Sequence, residues 1–275
     1  MDKNLKIAFI GAGNLAEAII YALANKLNID CQNIIIYDKN EEQYKRYAQL
    51  NIKKACDYND ILNFGDIIFL AVLPQNFAGL LENIKNSGID LTGKIFVSTA
   101  AGITMDFIES KIAQKIEIIR TMPNKPVFLG KGMTALCCNK YTEDENFKTV
   151  CGIFESLGEI IVINEDKMNK IVSVNGSSPA YVYLFAESML KWAVEQGFDE
   201  KEIYPVVLQS LIGSFEMMIK SGQTPSELIK SVAAPKGTTE KALESFYKDD
   251  FTGIIKKAMQ ACFERAEQLT KEYSE

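Results

Sequence analysis

A glycine-rich turn between an apolar strand and a helix lies near the start of the chain, in the segment KIAFIGAGNLAEAII of residues 6–20. Its small residues, Gly11, Gly13 and Ala16, have the spacing G-x-G-x-x-A. Gly11 permits a tight turn, Gly13 lets a pyrophosphate approach the backbone, and Ala16 lets the helix pack close to the strand. The first N–H groups of a helix starting near Asn14 would then face the phosphates.

An acidic residue follows at the distance that such a turn requires. The segment from Asn33 to Asp38 is typical of a strand, and Asp38 lies 22 residues beyond Ala16 (38 − 16). In dinucleotide-binding folds an acid at this point binds the ribose hydroxyls. The combination predicts a nicotinamide-dinucleotide fold, and a glycine turn in an ordinary α/β protein is the alternative.

The first 164 residues alternate strand patterns with helical patterns, which is typical of a doubly wound α/β sheet. A helix is predicted from Glu41 to Leu50, another after Pro74, and a third capped by Thr104. The predicted strands cover residues 7–10, 33–38, 66–72, 94–98, 116–120, 133–138 and 160–163.

The chain changes character at about Glu165, after which only helical patterns remain. Several of these helices are apolar around most of their circumference, which indicates burial in a domain core or against a second subunit. We therefore predict a dinucleotide-binding domain over 1–164 and an all-α domain over 165–275. The predicted helices cover residues 180–196, 201–220, 225–232, 239–248 and 252–273.

The composition excludes several kinds of chemistry. The chain has no histidine, which rules out Ser-His-Asp and Cys-His catalysis. Its six cysteines form no C-x-x-C pair, so we expect no metal site and reduced thiols in a cytoplasmic protein.

Charge and hydropathy exclude two kinds of partner. The net charge is −6 and lysines alternate with acids, so no nucleic-acid surface is expected. No apolar run has the length of a membrane span, and we expect neither a membrane partner nor a signal peptide.

Four segments follow predicted strands and meet at the carboxyl edge of the sheet, where ligands bind in such folds. They are the glycine turn, Ala71–Gln75, Ser98–Gly102 and Arg120–Asn124. Each alone could be an ordinary strand-to-helix turn, but four at one edge favour a cofactor cleft. The candidate cofactor residues are Gly11, Gly13, Asn14, Leu15, Asp38, Ala71, Val72, Pro74, Ala100, Ala101, Met122, Pro123 and Asn124.

Two segments of the helical half combine hydroxyl groups with helix starts. Residues 174–181 predict a flexible turn, with Ser178 as the N-cap and Pro179 at the first helical position. Residues 233–240 predict a second such turn. Both could bind a carboxylate through N–H groups and hydroxyls, and plain helix capping is the alternative.

The motifs together resemble the pyrroline-5-carboxylate reductase family over nearly the whole chain. They are Gly11-x-Gly13-Asn14, Ala71-Val-x-Pro-Gln75, Ala101-Gly-Ile, Met122-Pro-Asn124, Gly176-Ser-x-Pro-Ala-Tyr181 and Pro235-x-Gly-Thr-Thr239. The resemblance implies a Rossmann domain, a helical dimerisation domain, and substrate held between one subunit's cofactor and its partner's helices. It also implies reduction of 1-pyrroline-5-carboxylate to L-proline by NADPH or NADH.

The resemblance also implies residue roles. Thr239 matches the family threonine that hydrogen-bonds the ring nitrogen, and is our candidate catalytic residue. The candidates for the substrate carboxylate are Ser177 and Ser178 with the backbone N–H groups of Gly237 and Thr238. A homodimer, or a ring of dimers, is the expected assembly.

Three residues depart from the family pattern: Ala234 replaces a serine, Lys236 a glycine and Leu73 a lysine. Lys236 could point to solvent or steer the substrate carboxylate. Asp38 would repel a 2′-phosphate, with Lys39 partly offsetting it, so NADH should serve at least as well as is usual in the family.

Two other functions are left open. One is a β-hydroxyacid dehydrogenase, which would require a buried general-acid lysine at about Lys170. The other is a regulatory protein that binds NAD(P) without turnover, which the three departures motivate.

Overall fold

The computed structural model describes residues 4–274. Eight strands form one sheet in the order β3-β2-β1-β4-β5-β6-β7-β8, in which all paired neighbours are parallel except β6 and β7. The strands are β1 Ile7–Ile10, β2 Ile34–Tyr37, β3 Lys53–Lys54, β4 Ile67–Leu70, β5 Ile95–Ser98, β6 Glu117–Pro123, β7 Gly132–Cys138 and β8 Gly158–Val162. The predicted doubly wound α/β architecture is confirmed.

Helices connect the strands and then make up the second half of the chain. The α-helices are α1 Asn14–Asn25, α2 Tyr58–Phe64, α3 Phe77–Asn86, α4 Met105–Ile112, α5 Asp144–Glu155, α6 Met168–Ile171, α7 Ser178–Glu195, α8 Glu200–Lys220, α9 Pro225–Val232, α10 Thr238–Lys248 and α11 Phe251–Ser274. Within residues 4–274 no helix combines the length and hydropathy of a membrane span.

Strands β1 and β4 are apolar throughout because helices cover both faces of the sheet. Ala8 and Ile10 point into one core cluster, whereas Ile7 and Phe9 point into the other. Phe9 stacks on Phe69 of the neighbouring strand, with ring centroids 4.6 Å apart. The two-residue alternation of side chains thus builds a core on each side of one sheet.

The region after β2 differs from its prediction. Instead of a helix from Glu41 to Leu50, a 3₁₀ helix covers Glu41–Tyr47. The Tyr44 hydroxyl accepts a hydrogen bond from the nearby N–H of Asp38, and the Tyr47 hydroxyl donates to the distant carbonyl of Ala12. The tertiary bond of Tyr47 can override local helix preference. The edge strand β3 was not predicted because its two exposed lysines show no apolar alternation.

The predicted flexible turn within residues 174–181 is also wrong. A π-helical turn, Val172–Gly176, continues α6 almost directly into α7, and the N–H of Ser177 donates to the carbonyl of Val172 at 2.9 Å. Ser178 is therefore the first residue of α7 rather than a residue before it. A π-turn has no sequence pattern that distinguishes it from a glycine turn, although such turns are frequent at functional sites.

The described chain divides into two compact units. One contains the residues up to Ser177 together with those from Cys262 onward, and the other contains Ser178–Ala261. Local caps define the helices of the second unit: Asp199 caps α8, and Thr224 forms a capping box with Glu227 at α9. The assignment of cofactor binding to 1–164 and substrate binding to 165–275 stays a prediction.

Candidate functional site

The glycine turn has the geometry that a pyrophosphate site requires. Gly11 has φ +100°, and a Cβ atom on it would lie 2.5 Å from the carbonyl oxygen of Ala71. Only glycine satisfies both conditions. Gly13 is the N-cap of α1 and has nothing within 4 Å of a Cβ position, so open space lies before the helix N-terminus. A nucleotide pyrophosphate fits this place.

Asp38 lies beside this turn and holds it. Its carboxylate accepts hydrogen bonds from the N–H of Ala12 through Oδ2 and from the N–H of Asn40 through Oδ1, each at 2.8 Å. A carboxylate has about four acceptor positions, so both oxygens can still accept from ribose hydroxyls. Asp38 thus combines the predicted position with a structural role that sequence reasoning missed.

Two tyrosines complete the surroundings of Asp38. The Tyr44 hydroxyl accepts from the N–H of Asp38 at 2.8 Å and donates to its carbonyl at 3.2 Å, and the Tyr47 hydroxyl donates to the carbonyl of Ala12 at 3.0 Å. Burial raises the pKa of both phenols, which keeps them neutral. No local sequence signal links these tyrosines to the glycine turn.

Sheet pairing brings the other predicted cofactor segments to the same edge. Strands β1, β4, β5 and β6 are consecutive parallel neighbours, so the residues that follow them share one edge. Ala71 donates its N–H to Ile10 at 2.8 Å, and Thr99 donates its N–H to Leu70 at 3.3 Å. At this edge Ala100 and Met122 are buried, Asn14 is exposed, and Leu15, Val72, Ala101, Pro74, Pro123 and Asn124 are half-buried.

Asn175 was not among the predicted site residues, yet it ties the π-turn to this edge. Its amide donates to the carbonyls of Met122 and Met133, each at 2.9 Å. Asn124 accepts from the N–H of Met133, also at 2.9 Å. The residue next to Asn175, Gly176, consequently lies close to Met122, since a Cβ on it would be 3.8 Å from the Met122 sulfur.

The two predicted serines have different surroundings. The backbone N–H of Ser177 is already bonded to Val172, so only its hydroxyl, 3.2 Å from the sulfur of Cys262, is left to meet a ligand. Ser178 begins α7 and belongs to the other compact unit. The assignment of Ser177 and Ser178 to a substrate carboxylate stays a prediction.

The predicted turn before α10 is a tight β-turn. Gly237 donates its N–H to the carbonyl of Ala234 at 2.9 Å, with Pro235 and Lys236 between them. Lys236 has φ +63°, the left-handed conformation that the third residue of a type II turn adopts. The Gly237 N–H is thus engaged within the turn, and its predicted role toward a substrate carboxylate stays a prediction.

The start of α10 itself carries the candidate threonines. Thr238 is its first residue, and the N-cap Gly237 has no side chain to bond the first turn. Thr238 is exposed and Thr239 is half-buried. The N–H of Lys236 donates to a carboxylate oxygen of Glu240 at 2.6 Å, which holds the turn against the helix.

Neither a general-acid role for Lys170 nor a metal site is supported by the side chains of residues 4–274. Lys170 is exposed, whereas a dehydrogenase lysine with a lowered pKa would have to be buried. Across residues 4–274 no group of histidine, cysteine or acidic side chains is placed to hold a metal ion.

Two family models match the chain. Residues 165–269 match the model described as pyrroline-5-carboxylate reductase dimerisation. Residues 6–102 match the model described as NADP oxidoreductase coenzyme F420-dependent. The two matches fall on the predicted helical half and on the glycine turn with its sheet edge.

Similar proteins match over the full length. The pyrroline-5-carboxylate reductase of Haemophilus influenzae is 34% identical and is covered to 97%, with 96% of this chain aligned. The Escherichia coli pyrroline-5-carboxylate reductase is 33% identical, and the alignment covers 97% of this chain and 98% of that protein.

Solved structures of pyrroline-5-carboxylate reductases are also similar to this chain over nearly its full length. The crystal structure of Plasmodium falciparum pyrroline carboxylate reductase with NADP bound has a TM-score of 0.89 and 29% identity, and covers 98% of this chain and 100% of that one. A Streptococcus pyogenes 1-pyrroline-5-carboxylate reductase has a TM-score of 0.88 and 27% identity, with coverage of 97% and 100%. With the glycine turn, the Asp38 contacts and the α10 turn in place, this chain belongs to the pyrroline-5-carboxylate reductase family.

Proposed function

We propose that this protein reduces 1-pyrroline-5-carboxylate to L-proline with NAD(P)H. The observation that carries the proposal is the 34% identity to a pyrroline-5-carboxylate reductase over 96% of the chain, which includes both the glycine turn and the α10 turn. The glycine turn fits the cofactor, and the helical half holds the hydroxyls and helix start that suit a small carboxylate.

The reduction depends more on how the protein positions the cofactor and the imine, and on the charges around them, than on acid–base side chains. NAD(P)H supplies a hydride when it is bound, and a protonated imine is already a good electrophile. The N-terminus of α1 binds the pyrophosphate, Asp38 the ribose, and the small residues Ala100 and Ala101 let the cofactor lie close to the backbone. A chain without histidine can therefore catalyse this reduction.

Thr239 is the residue that we assign to the ring nitrogen. It lies at the second position of α10, and a hydroxyl can both donate and accept a proton. The carboxylate is assigned to the N–H of Thr238 and to the hydroxyls of Ser177 and Ser178. Gly237 contributes by its shape, because a Cβ on it would lie 2.9 Å from the carbonyl oxygen of Ala234 and crowd the turn before α10.

A homodimer is the assembly that we propose, either alone or within a ring of dimers. In Ser178–Ala261 the buried apolar residues are only Ala186, Ala193 and Val207, whereas Trp192 is 63% and Ile219 is 79% exposed. A helical unit with so small a core needs a partner to cover its apolar surface.

Light scattering should therefore give at least twice the chain mass, and a monomer would contradict a site shared between subunits.

We also propose that the protein acts in the cytoplasm. All six cysteines are free thiols within the described structure. Burial raises the pKa of Cys137 to about 12 and of Cys151 to about 11, so both thiols stay protonated and unreactive.

The direct test of the proposal is the oxidation of NADH and NADPH by the purified protein with 1-pyrroline-5-carboxylate. We expect turnover with both, with kcat/KM for NADH within about tenfold of that for NADPH, because Asp38 repels a 2′-phosphate. A larger preference for NADPH would contradict the role of Asp38. Cofactor binding without any oxidation would favour the regulatory alternative.

Replacing Thr239 tests its role at the ring nitrogen. Thr239→Ala should lower kcat by more than about tenfold with the fold intact, because it removes a hydroxyl aimed at the reacting imine. Thr239→Ser keeps the hydroxyl and serves as the matched control, for which we expect most of the activity. Circular dichroism checks the fold, and an unchanged rate in Thr239→Ala would refute the role.

Replacing Lys236 separates backbone strain from charge. Lys236→Gly should raise the free energy of unfolding by about 0.5–1 kcal/mol, since the left-handed turn position favours glycine. The KM for 1-pyrroline-5-carboxylate should stay the same because the lysine is exposed. Lys236→Ala removes the charge but keeps the strain. A higher KM in both variants would show instead that the lysine steers the substrate carboxylate.

A further inference from the structure

A buried arginine, Arg120, lies on β6 as the first residue of the Arg120–Asn124 segment, two residues before the candidate cofactor residue Met122. The Arg120 side chain is 1% exposed. A buried charge is costly unless polar groups surround it. Arg120 donates from Nη1 to the Glu165 carboxylate at 3.2 Å and from Nη2 to the Asn169 side-chain oxygen at 3.0 Å. Two different elements are thereby fixed to one strand.

Glu165 also bonds the helix that follows a second candidate cofactor segment, Ser98–Gly102. The oxygen that binds Arg120 also accepts the N–H of Met105, at 2.8 Å. Met105 is the first residue of α4 and follows Gly102, the last residue of the Ser98–Gly102 segment, by three positions. The Glu165 carboxylate thus bridges the middle of β6 and the start of the helix that follows β5.

Asn169 links Arg120 to the C-terminal part of α11. Its amide donates to the Glu267 carboxylate at 2.7 Å and to the Thr270 hydroxyl at 2.9 Å. This part of α11 packs directly on the cofactor segment, since a Cβ on Gly102 would lie 3.0 Å from the Leu269 Cβ. All of these residues belong to the same compact unit.

We propose that Arg120, Glu165 and Asn169 form a positioning cluster that sets the cofactor-binding edge. The cluster fixes the loop ending at Gly102 from two sides, through α4 and through α11, and fixes β6 just before Met122. None of the three is assigned a contact with the cofactor, so they are positioning residues rather than catalytic ones. The inference rests on the proposed function only in taking NAD(P)H as the ligand of this edge.

The cluster differs from ordinary core packing because it joins β6 to the start of α4 and to the end of α11. Hydrophobic contacts along β6 would keep the strand in the sheet without Arg120, but they fix neither the start of α4 nor the end of α11. Small displacements of a binding loop cost affinity and rate even where the fold survives. Loss of the cluster should therefore weaken cofactor binding by more than the accompanying loss of stability explains.

Arg120→Lys is the main test, because a lysine keeps the charge but cannot bridge two partners as a planar guanidinium does. We expect the Kd for NADPH, measured by fluorescence without substrate, to rise about five- to tenfold. The KM for 1-pyrroline-5-carboxylate should change by less than about twofold, since the proposed substrate residues other than Ser177 belong to the other compact unit.

The matched control is Glu117→Gln, at the first residue of the same strand. Glu117 is also buried, and it accepts from the N–H of Glu143 at 3.0 Å and the amide of Asn146 at 2.9 Å. We expect a lower Tm with an unchanged Kd for NADPH. An equal rise of Kd in this control would show a general effect of stability and overturn the proposal.

Thr270→Val keeps the test valid if Arg120→Lys does not fold. It removes one acceptor of Asn169 with little change of shape, and should raise the Kd for NADPH about two- to threefold. A wild-type Kd in every variant that folds would overturn the positioning cluster. A wild-type protein that binds NADPH without reducing the imine would instead refute the proposed function alone, so the two failures are distinguishable.

Discussion

The site depends on one close approach of two backbone segments. Gly11 passes so near the carbonyl of Ala71 that a single added carbon would lie 2.5 Å from its oxygen. That contact sets how the turn after β1 meets the end of β4. It also leaves the N-terminus of α1 facing open space at Gly13. The bonds of Asp38 to Ala12 and Asn40 then hold the turn in this shape.

The polar groups around the cofactor-binding edge have two roles, which are to fix the loops and to bind the cofactor that we propose. Asp38 fixes the loop through its bonds to Ala12 and Asn40 and is the residue that we propose for the ribose. Asn175 bonds the π-turn to the carbonyls of Met122 and Met133, and the proposed positioning cluster joins Arg120 of β6 to Glu165 and Asn169. Because a buried polar group is stable only with its partners in place, these bonds specify one arrangement of the edge rather than adding much to overall stability. The edge is therefore held in its arrangement by the chain itself.

The sequence predicted the sheet and the helices well, because each depends on local periodicity. The apolar strands and the helical second half follow directly from the patterns of residues 1–164 and 165–275. The 3₁₀ turn at Glu41–Tyr47 and the π-turn at Val172–Gly176 were not predictable from local patterns. The bond of Tyr47 to Ala12 and the bonds of Asn175 to Met122 and Met133 join residues that are far apart in the sequence. Likewise the motifs located Gly237, but only the structure shows that its N–H is already bonded.

The central claim is that this chain holds a nicotinamide and a cyclic imine so that hydride passes directly between them. The most direct measurement uses NADPH carrying deuterium at the transferred position of nicotinamide C4, with mass spectrometry and NMR of the product. We expect L-proline with one deuterium on the ring carbon that was the imine carbon. Proline without deuterium at that carbon, or no proline from protein that binds the cofactor, would contradict the claim.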